Sequence, residues 1–355
     1  MLDRDFNCFI SLCHSVGVYI NAGSRQDTLE TSGTSNLLTR MLLRGSQGAT
    51  KAQLAEEIES MGARISADSD REITNVNVTC FKGDLSRAVA LLGDAVSSAT
   101  IDAAELELAK QEQARDNEVS NKDQYETTME ACHFNAFRDH MMGQPRRGDA
   151  DNLQNLTADM LTNYRASNYF GENMVIVGTG NVDHDAFVGQ IEQAFGSISQ
   201  KPTKPADDEK CVYVPALLMM RDDEMYNANV GVFFDAPSVN HEDYYAFKLL
   251  THMIGDYDIQ RNAEHLNDCQ KQYNATHALL ADLPDVTRQT CKYLAYSDCA
   301  LFGSYLFGNE VFVRQMNWVG MAPPVFYADY VQEAEVVRAR NALWNGLMRE
   351  ASPEE

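Results

Sequence analysis

The chain has 355 residues, of which 44% are hydrophobic and 23% charged, with 52 acidic against 29 basic side chains and a formal net charge of −23. That composition is globular and leaves room for two ordinary domains, and the acid excess argues against a nucleic-acid partner because a phosphate backbone would be repelled. No apolar run approaches the ~18–20 residues that span a bilayer, so the chain reads as soluble or peripheral, with no transmembrane helix of its own.

Residues 6–22 predict one or two strands with a turn near His14 and Ser15. Val16, Val18 and Ile20 share one face at period 2. Gly23 ends the strand, and Thr34 or Ser35 is the expected N-cap of a helix over 34–43 whose apolar stripe is Leu37, Leu38, Met41 and Leu42. Thr50 caps a second helix with Leu54, Ile58 and Met61 at helical spacing, and Gly62 stands where a C-cap glycine belongs. Residues 63–80 alternate as two strands with a turn around Asp68 to Asp70. Helices are expected from Leu85 to Ala99, from Ile101 to about Val119, and from about Asp123 to Phe137. A glycine- and proline-punctuated loop follows at 140–151. Thr157 caps the next helix, to about Tyr169. A buried strand at Met174 to Val177 and a helix from Asp183 to about Phe195 come next.

Residues 197–211, SISQKPTKPADDEKC, lack apolar periodicity and form the expected linker. Val212 to Met220 then predicts a strand. Ala228 to Ala236 contains VGVFFDA, a near copy of VGVYINA at Val16 to Ala22. LLTHMI at Leu249 to Ile254 likewise matches LLTRML at Leu37 to Leu42. The two copies are 214 residues apart at the strand and 212 at the helix. Ordered matches at nearly equal spacing indicate a duplicated unit of domain size rather than a solenoid repeat. Residues 256–290 are polar and ambiguous. Tyr293 to Phe307 reads as a strand pair turning at Ser297 and Asp298, and Tyr327 to Glu350 as a long helix broken once. The fold class is therefore α+β: two homologous domains, each a mixed β-sheet with helices mainly on one face. The expected domains are 1–196, a linker at 197–211, and 212–355. Nothing in the second copy corresponds to 157–195, so either that domain is naturally short or the sequence stops early, and apolar surface left open there should be covered by a partner.

The eight cysteines form no CxxC pair, which fits a reduced compartment and leaves neither a zinc ribbon nor a redox motif. The N-terminus, MLDRDFNCF, reads as neither a signal peptide nor an Arg-rich transit peptide. There is no GxSxG, P-loop or GxGxxG, and the GTGNV turn is too short a glycine signal for phosphate. His133 is expected to be a hydrogen-bonded structural histidine, and His265 and His277 lack ligand spacing.

Gly33 to Ser46, GTSNLLTRMLLRGS, resembles the inverted zinc signature of the pitrilysin-type metallopeptidases. AGSR at Ala22 to Arg25, IESMGARISADSDRE at Ile58 to Glu72, GDLSRAVALLGDAV, CHFNAF and NMVIVGTGNVDHDAF are similar to the mitochondrial branch of that family. That branch holds the processing-peptidase subunits and the core proteins of respiratory complex III, and the beta-subunit or core protein 1 side is the most similar. The family helix reads H-x-x-E-H: two histidines one turn apart bind Zn²⁺, and the glutamate serves as general base. The matching positions are Asn36, Thr39 and Arg40. An amide is a poor zinc ligand, a threonine hydroxyl is no general base, and a guanidinium is a permanent cation. The family's third ligand maps near Asp116 or Glu118, with Glu112 nearby. In the second copy, Lys248, Thr251 and His252 stand at the equivalent helix.

The resemblance therefore implies no catalytic residue, no metal and no cofactor in this chain. It implies a non-enzyme, a structural core subunit of mitochondrial complex III. Such a subunit would sit peripherally on the matrix side of the inner membrane, paired with a second core or processing-peptidase-like subunit. Cytochrome b, cytochrome c1 and the iron–sulfur subunit would be its other partners. The alternative is a processing-peptidase subunit that binds presequences for a zinc-bearing partner. The family's glycine-rich presequence loop has no counterpart around 256–280, which weakens a direct presequence contact.

Overall fold

The computed structural model describes residues 13–180, 182–201, 209–221, 225–259, 275–280, 283 and 285–350. They fall into two compact units, Met1–Ser120 with Asp139–Glu209, and Asn121–Arg138 with Lys210–Glu355. The expected division at 197–211 misses residues 121–138, which pack with the second unit.

In the first unit, strands β1 (Cys13–Ile20), β2 (Arg64–Ser69), β3 (Thr74–Phe81) and β4 (Met174–Thr179) form one sheet in the order β2-β3-β1-β4. The α+β class with two related sheets is borne out. In place of mixed pairing, every described strand pair is antiparallel. Val16 pairs with Val78 and Val18 with Val76, so the period-2 stripes of β1 and β3 share the inner face. Those side chains pack with Leu37, Leu38, Met41 and Leu42 of helix α1 (Thr34–Met41) and its C-cap turn. Each fully buried side chain of this kind contributes about 1.5–3 kcal/mol.

Helix α2 (Lys51–Ser60) starts in a capping box, in which Thr50 Oγ1 accepts from the Gln53 amide and Gln53 Oε1 from the Thr50 amide. It ends at Gly62, whose φ of 58° is the left-handed conformation of a C-cap glycine. Helices α3 (Leu85–Ser98) and α4 (Ala103–Ser120) follow. After them come α6 (Ala150–Asn155), α7 (Ala158–Asn168) and α8 (His184–Phe195), with α5 (Gln124–Ala136) between α4 and α6 in the chain. Gly93 of α3 lies so close to α8 that a Cβ there would stand 2.7 Å from the Ala194 carbonyl oxygen.

The second unit has β5 (Asn227–Asp235), β6 (Tyr257–Asp258), β7 (Val286–Ala295) and β8 (Ala300–Asn309) in the order β5-β8-β7-β6. Its helices are α5, α9 (Tyr244–Ile254), α10 (Ala275–Leu280), α11 (Val313–Asp329) and α12 (Glu333–Glu350). β5, the copy of β1, pairs with β8 as β1 pairs with β3. α5 lies against β5: Gln124 accepts from Asn229, and a Cβ on Gly231 would stand 2.4 Å from Cys132 Sγ.

Two expectations about elements change. Residues 212–220 form no strand. They are apolar but have no ladder partner, and Leu217 and Met219 are left more than three-quarters exposed. Their backbone is anchored at Val214, whose amide donates to the Ala136 carbonyl. Helix α11 begins well before Tyr327, because Pro323 and Pro324 interrupt the sequence pattern but not the helix. The break expected within the terminal helix falls at 330–332. The part of the opening strand expected at 6–12 lies outside the described residues.

Candidate functional site

Helix α1 is held at its N-terminus by groups distant in sequence. The N-cap is Gly33, with φ of 93°, rather than Thr34 or Ser35. Its cap is supplied by Asp27. Asp27 Oδ2 accepts from the Gly33 amide at 3.0 Å and from the Ser35 hydroxyl at 3.3 Å, and Oδ1 accepts from the Ser35 amide at 3.2 Å. A carboxylate here meets the orphan amides of the first turn and the positive end of the helix dipole. Asp27 is 4% exposed, and burial pushes its carboxyl up to about 8, against the lowering effect of those three hydrogen bonds.

The flanking loops are fixed with equal economy. Ser24 and Arg25 donate their amides to the carbonyls of Asp70 and Arg71, and the Arg25 guanidinium pairs with Glu72 at 2.8 Å. Tyr164 donates its hydroxyl to the Gly23 carbonyl at 2.7 Å. The loop carrying Gly148 lies against Gly33, and α4 holds it there. Gln113 Nε2 donates to the Arg147 carbonyl at 2.7 Å, and Asn117 Nδ2 to that of Gly148 at 3.1 Å. The AGSR, SADSDRE and PRRGD stretches thus converge on one end of α1.

The three signature positions lie on α1 as their spacing requires. Asn36 and Arg40 are one turn apart, and Arg40 Nε donates to Asn36 Oδ1 at 3.3 Å. Arg40 Nη2 pairs with Asp116 Oδ2 of α4 at 2.6 Å. Thr39 is buried and spends its hydroxyl on the Ser35 carbonyl at 2.8 Å. Among the carboxylates near the mapped third position, Asp116 faces Arg40, Glu112 faces Arg44, and Glu118 is exposed. Arg44, unnoticed in the sequence, pairs one turn on from Arg40 with Glu112 and, at 2.9 Å, with Glu105. The hydrogen bond from Arg44, ahead of opposing burial, holds the Glu112 carboxyl below its ordinary range.

These residues do not fit the zinc ion that the fold family carries. The position between 36, 40 and 116 is bridged by a guanidinium that cannot be deprotonated, and the amide oxygen of Asn36 is already accepting from it. Arg40 of α1 and Arg44, just beyond its C-terminus, pair with three carboxylates of α4. Arg44→Ala is expected to lower stability by about 1–3 kcal/mol, because Arg44 is nearly buried, Glu112 loses its partner and Glu105 is left with Lys51 at 3.5 Å. Arg40→Ala, on a more exposed pair, is expected to cost at most about 1 kcal/mol. Urea unfolding of both variants at low and high salt measures the difference.

In the second unit, Thr251 donates to the Phe247 carbonyl and Lys248 Nζ lies over the Tyr244 ring, so neither is aimed at a shared ligand. His133 Nδ1 meets the Met129 carbonyl at 2.8 Å and Nε2 the Tyr296 hydroxyl at 2.7 Å, a buried structural arrangement. His265 lies outside the described residues. Among the described residues, no group of three or more His, Cys, Asp or Glu side chains is placed to hold a metal ion.

Comparison with known proteins places this fold. Residues 13–150 match the family described as Insulinase (Peptidase family M16), and residues 155–283 match the Peptidase M16 inactive domain. The chain belongs to the M16 peptidase family.

The mitochondrial-processing peptidase subunit beta of Neurospora crassa is 27% identical over 93% of this chain and 69% of that protein. The subunit of the same name from Homo sapiens is 26% identical over 96% of this chain and 68% of that protein. A chain of the structure "Complex III2 from Candida albicans, Inz-5 bound" matches with a TM-score of 0.82 at 20% identity, over 96% of this chain and 77% of that one. A Helicobacter pylori protease matches with a TM-score of 0.79 at 14% identity, over 96% of this chain and 80% of that one. At those identities the structural likeness is one of fold. The expectation of a non-enzyme is corrected by the curated relatives, which are named as subunits of a peptidase and point to a peptidase.

Proposed function

We propose that this chain is a subunit of a mitochondrial-processing-type peptidase that binds basic presequence segments for a zinc-bearing partner subunit. The observation that carries this reading is the Asn36–Arg40–Asp116 bridge, which fills the family's metal position inside a scaffold that otherwise keeps the family's motifs together. The names of the relatives support the peptidase and a mitochondrial location. The net charge of −23, rather than a glycine loop, supports attraction of cationic peptides. Binding of that kind weakens as salt shortens the Debye length.

Affinity purification of the full chain from its own cells tests the proposal, with a cleavage assay on a basic amphipathic presequence peptide. The expected result is a complex with a homologue bearing H-x-x-E-H that cleaves the peptide, and peptide binding that falls several-fold between ~50 and ~300 mM salt. Stoichiometric zinc and chelator-sensitive cleavage by this chain alone would sink it. The second reading is a core subunit of complex III at the matrix side of the inner membrane. The fold likeness to a chain of the Candida albicans complex supports it, and haem-bearing co-purifying subunits would favour it over the first.

A further inference from the structure

Helix α4 buries one stripe, and the chemistry of that stripe changes along its length. Leu106 and Ala109 enter the core of the first unit, whereas the next two buried positions, Gln113 and Asn117, are amides. Helical spacing keeps all four side chains on one face. Gln113 is fully buried and Asn117 is 8% exposed. Amide side chains are seldom enclosed in this way unless each polar atom has a hydrogen-bond partner.

Half of each amide is accounted for. Gln113 Nε2 donates to the Arg147 carbonyl and Asn117 Nδ2 to the Gly148 carbonyl. Those carbonyls belong to consecutive residues, so the two amide groups lie side by side under one short piece of loop. The same bonds fix their orientation. Turning either group over would set its oxygen against a carbonyl oxygen, acceptor against acceptor. Gln113 Oε1 and Asn117 Oδ1 are the other half, and among the described residues both are buried with no protein partner.

Arg40, Arg44 and Lys110 spend their donors elsewhere. Arg40 serves Asn36 and Asp116, Arg44 serves Glu105 and Glu112, and Lys110 serves Glu107 and the Gln154 carbonyl. The missing partner must therefore be a small group that donates to two neutral oxygens at once. A divalent cation does not fit, because calcium takes roughly six to eight oxygen ligands and magnesium about six, and two amide oxygens without a carboxylate are too few. A water molecule fits. It carries two donors, is small enough to be enclosed, and commonly satisfies buried polar groups in globular proteins.

We infer that Gln113 Oε1 and Asn117 Oδ1 form a binding site for one buried water molecule, which donates a hydrogen bond to each. The water belongs to the support of the α1 N-terminus. It holds the two amides in the orientation in which they bond the Arg147 and Gly148 carbonyls, and Gly148 packs against Gly33, the N-cap of α1. This inference does not depend on the peptidase reading.

High-resolution crystallography of the full chain tests it. The expected result is one solvent peak within about 2.6–3.2 Å of both oxygens. A rubidium soak separates water from a monovalent cation, since only an exchanged cation leaves an anomalous peak there. Oxygen-17 relaxation dispersion supplies a measurement in solution, because it counts long-lived internal waters. Gln113→Met keeps the length of the side chain and removes its oxygen. The variant is expected to lose one long-lived water with unchanged circular dichroism. Gln111→Met, at an exposed position of the same helix, should leave the count unchanged. No solvent peak between the two oxygens, a peak in reach of only one of them, an anomalous rubidium peak, or an unchanged water count in Gln113→Met would overturn the inference.

Discussion

Gly148→Ala is expected to destabilise the first unit by about 3 kcal/mol or more, a large share of the stability of an ordinary domain. Gly148 has φ of 75°, which an L side chain adopts only with strain. Its Cβ would stand 2.5 Å from Gly33 Cα, 2.6 Å from the Ser32 carbonyl oxygen and 2.8 Å from the Gly33 amide nitrogen. All three are backbone atoms, so no rotamer change relieves the contact. The loop cannot retreat without losing the hydrogen bonds from Gln113 and Asn117. Gly33, with φ of 93°, is equally committed as the cap of α1. Gly189→Ala is the matched control, because it lies inside α8 with nothing within 4 Å of a built Cβ, and should stabilise by up to about 1 kcal/mol. Urea unfolding of the two variants should separate them by several kcal/mol. Similar midpoints would show that the Gly33–Gly148 approach does not constrain the fold.

The features legible in the sequence are those whose cause is local. Val16, Val18 and Ile20 alternate because β1 is buried on one face, and the Thr50–Gln53 box and Gly62 bracket α2 within a few residues of its ends. The repeat of VGVYINA as VGVFFDA is legible because both copies form a strand paired antiparallel in the same register relation, β1 with β3 and β5 with β8.

The features that were missed act at a distance. Asp27 caps a helix that begins seven residues later, so the residues next to the helix start do not identify the cap. Arg44 carried a signal, one turn beyond Arg40 and opposite carboxylates at 105, 112 and 116, but that signal needs α4 alongside α1 to acquire meaning. The grouping of α5 with the second unit is a tertiary choice that chain order conceals. The non-enzyme expectation failed for a related reason. Three positions on one helix describe one site, whereas the relatives are named for the peptidase to which their subunit belongs.

Asp27→Asn is expected to abolish a pH dependence of stability that the native chain shows between about pH 4 and 8. The carboxyl of Asp27 rises from an ordinary 3.8 to about 8 on folding, because burial penalises its charge more than the two amides and the Ser35 hydroxyl favour it. Between those values the folded chain keeps a proton that the unfolded chain has released, so stability falls as pH rises, by up to about 1.4 kcal/mol per pH unit. The stabilisation is complete below the unfolded value and is lost once pH passes the folded one. An amide cannot titrate, so the variant loses this slope while the other carboxylates continue to titrate in both proteins. The difference between the two stability curves therefore isolates Asp27. Asp27→Ala tests the cap itself. It leaves the Gly33 and Ser35 amides without their buried acceptor, and about 2–4 kcal/mol should be lost even at low pH. Urea unfolding from pH 4 to 9 reads both effects. Parallel curves for the native chain and Asp27→Asn would mean that Asp27 is ionised throughout, held by the helix N-terminus more strongly than burial opposes it. In that outcome α1 would be fixed by a buried charge, and Asp27→Ala would weaken more steeply above pH 4 than below it.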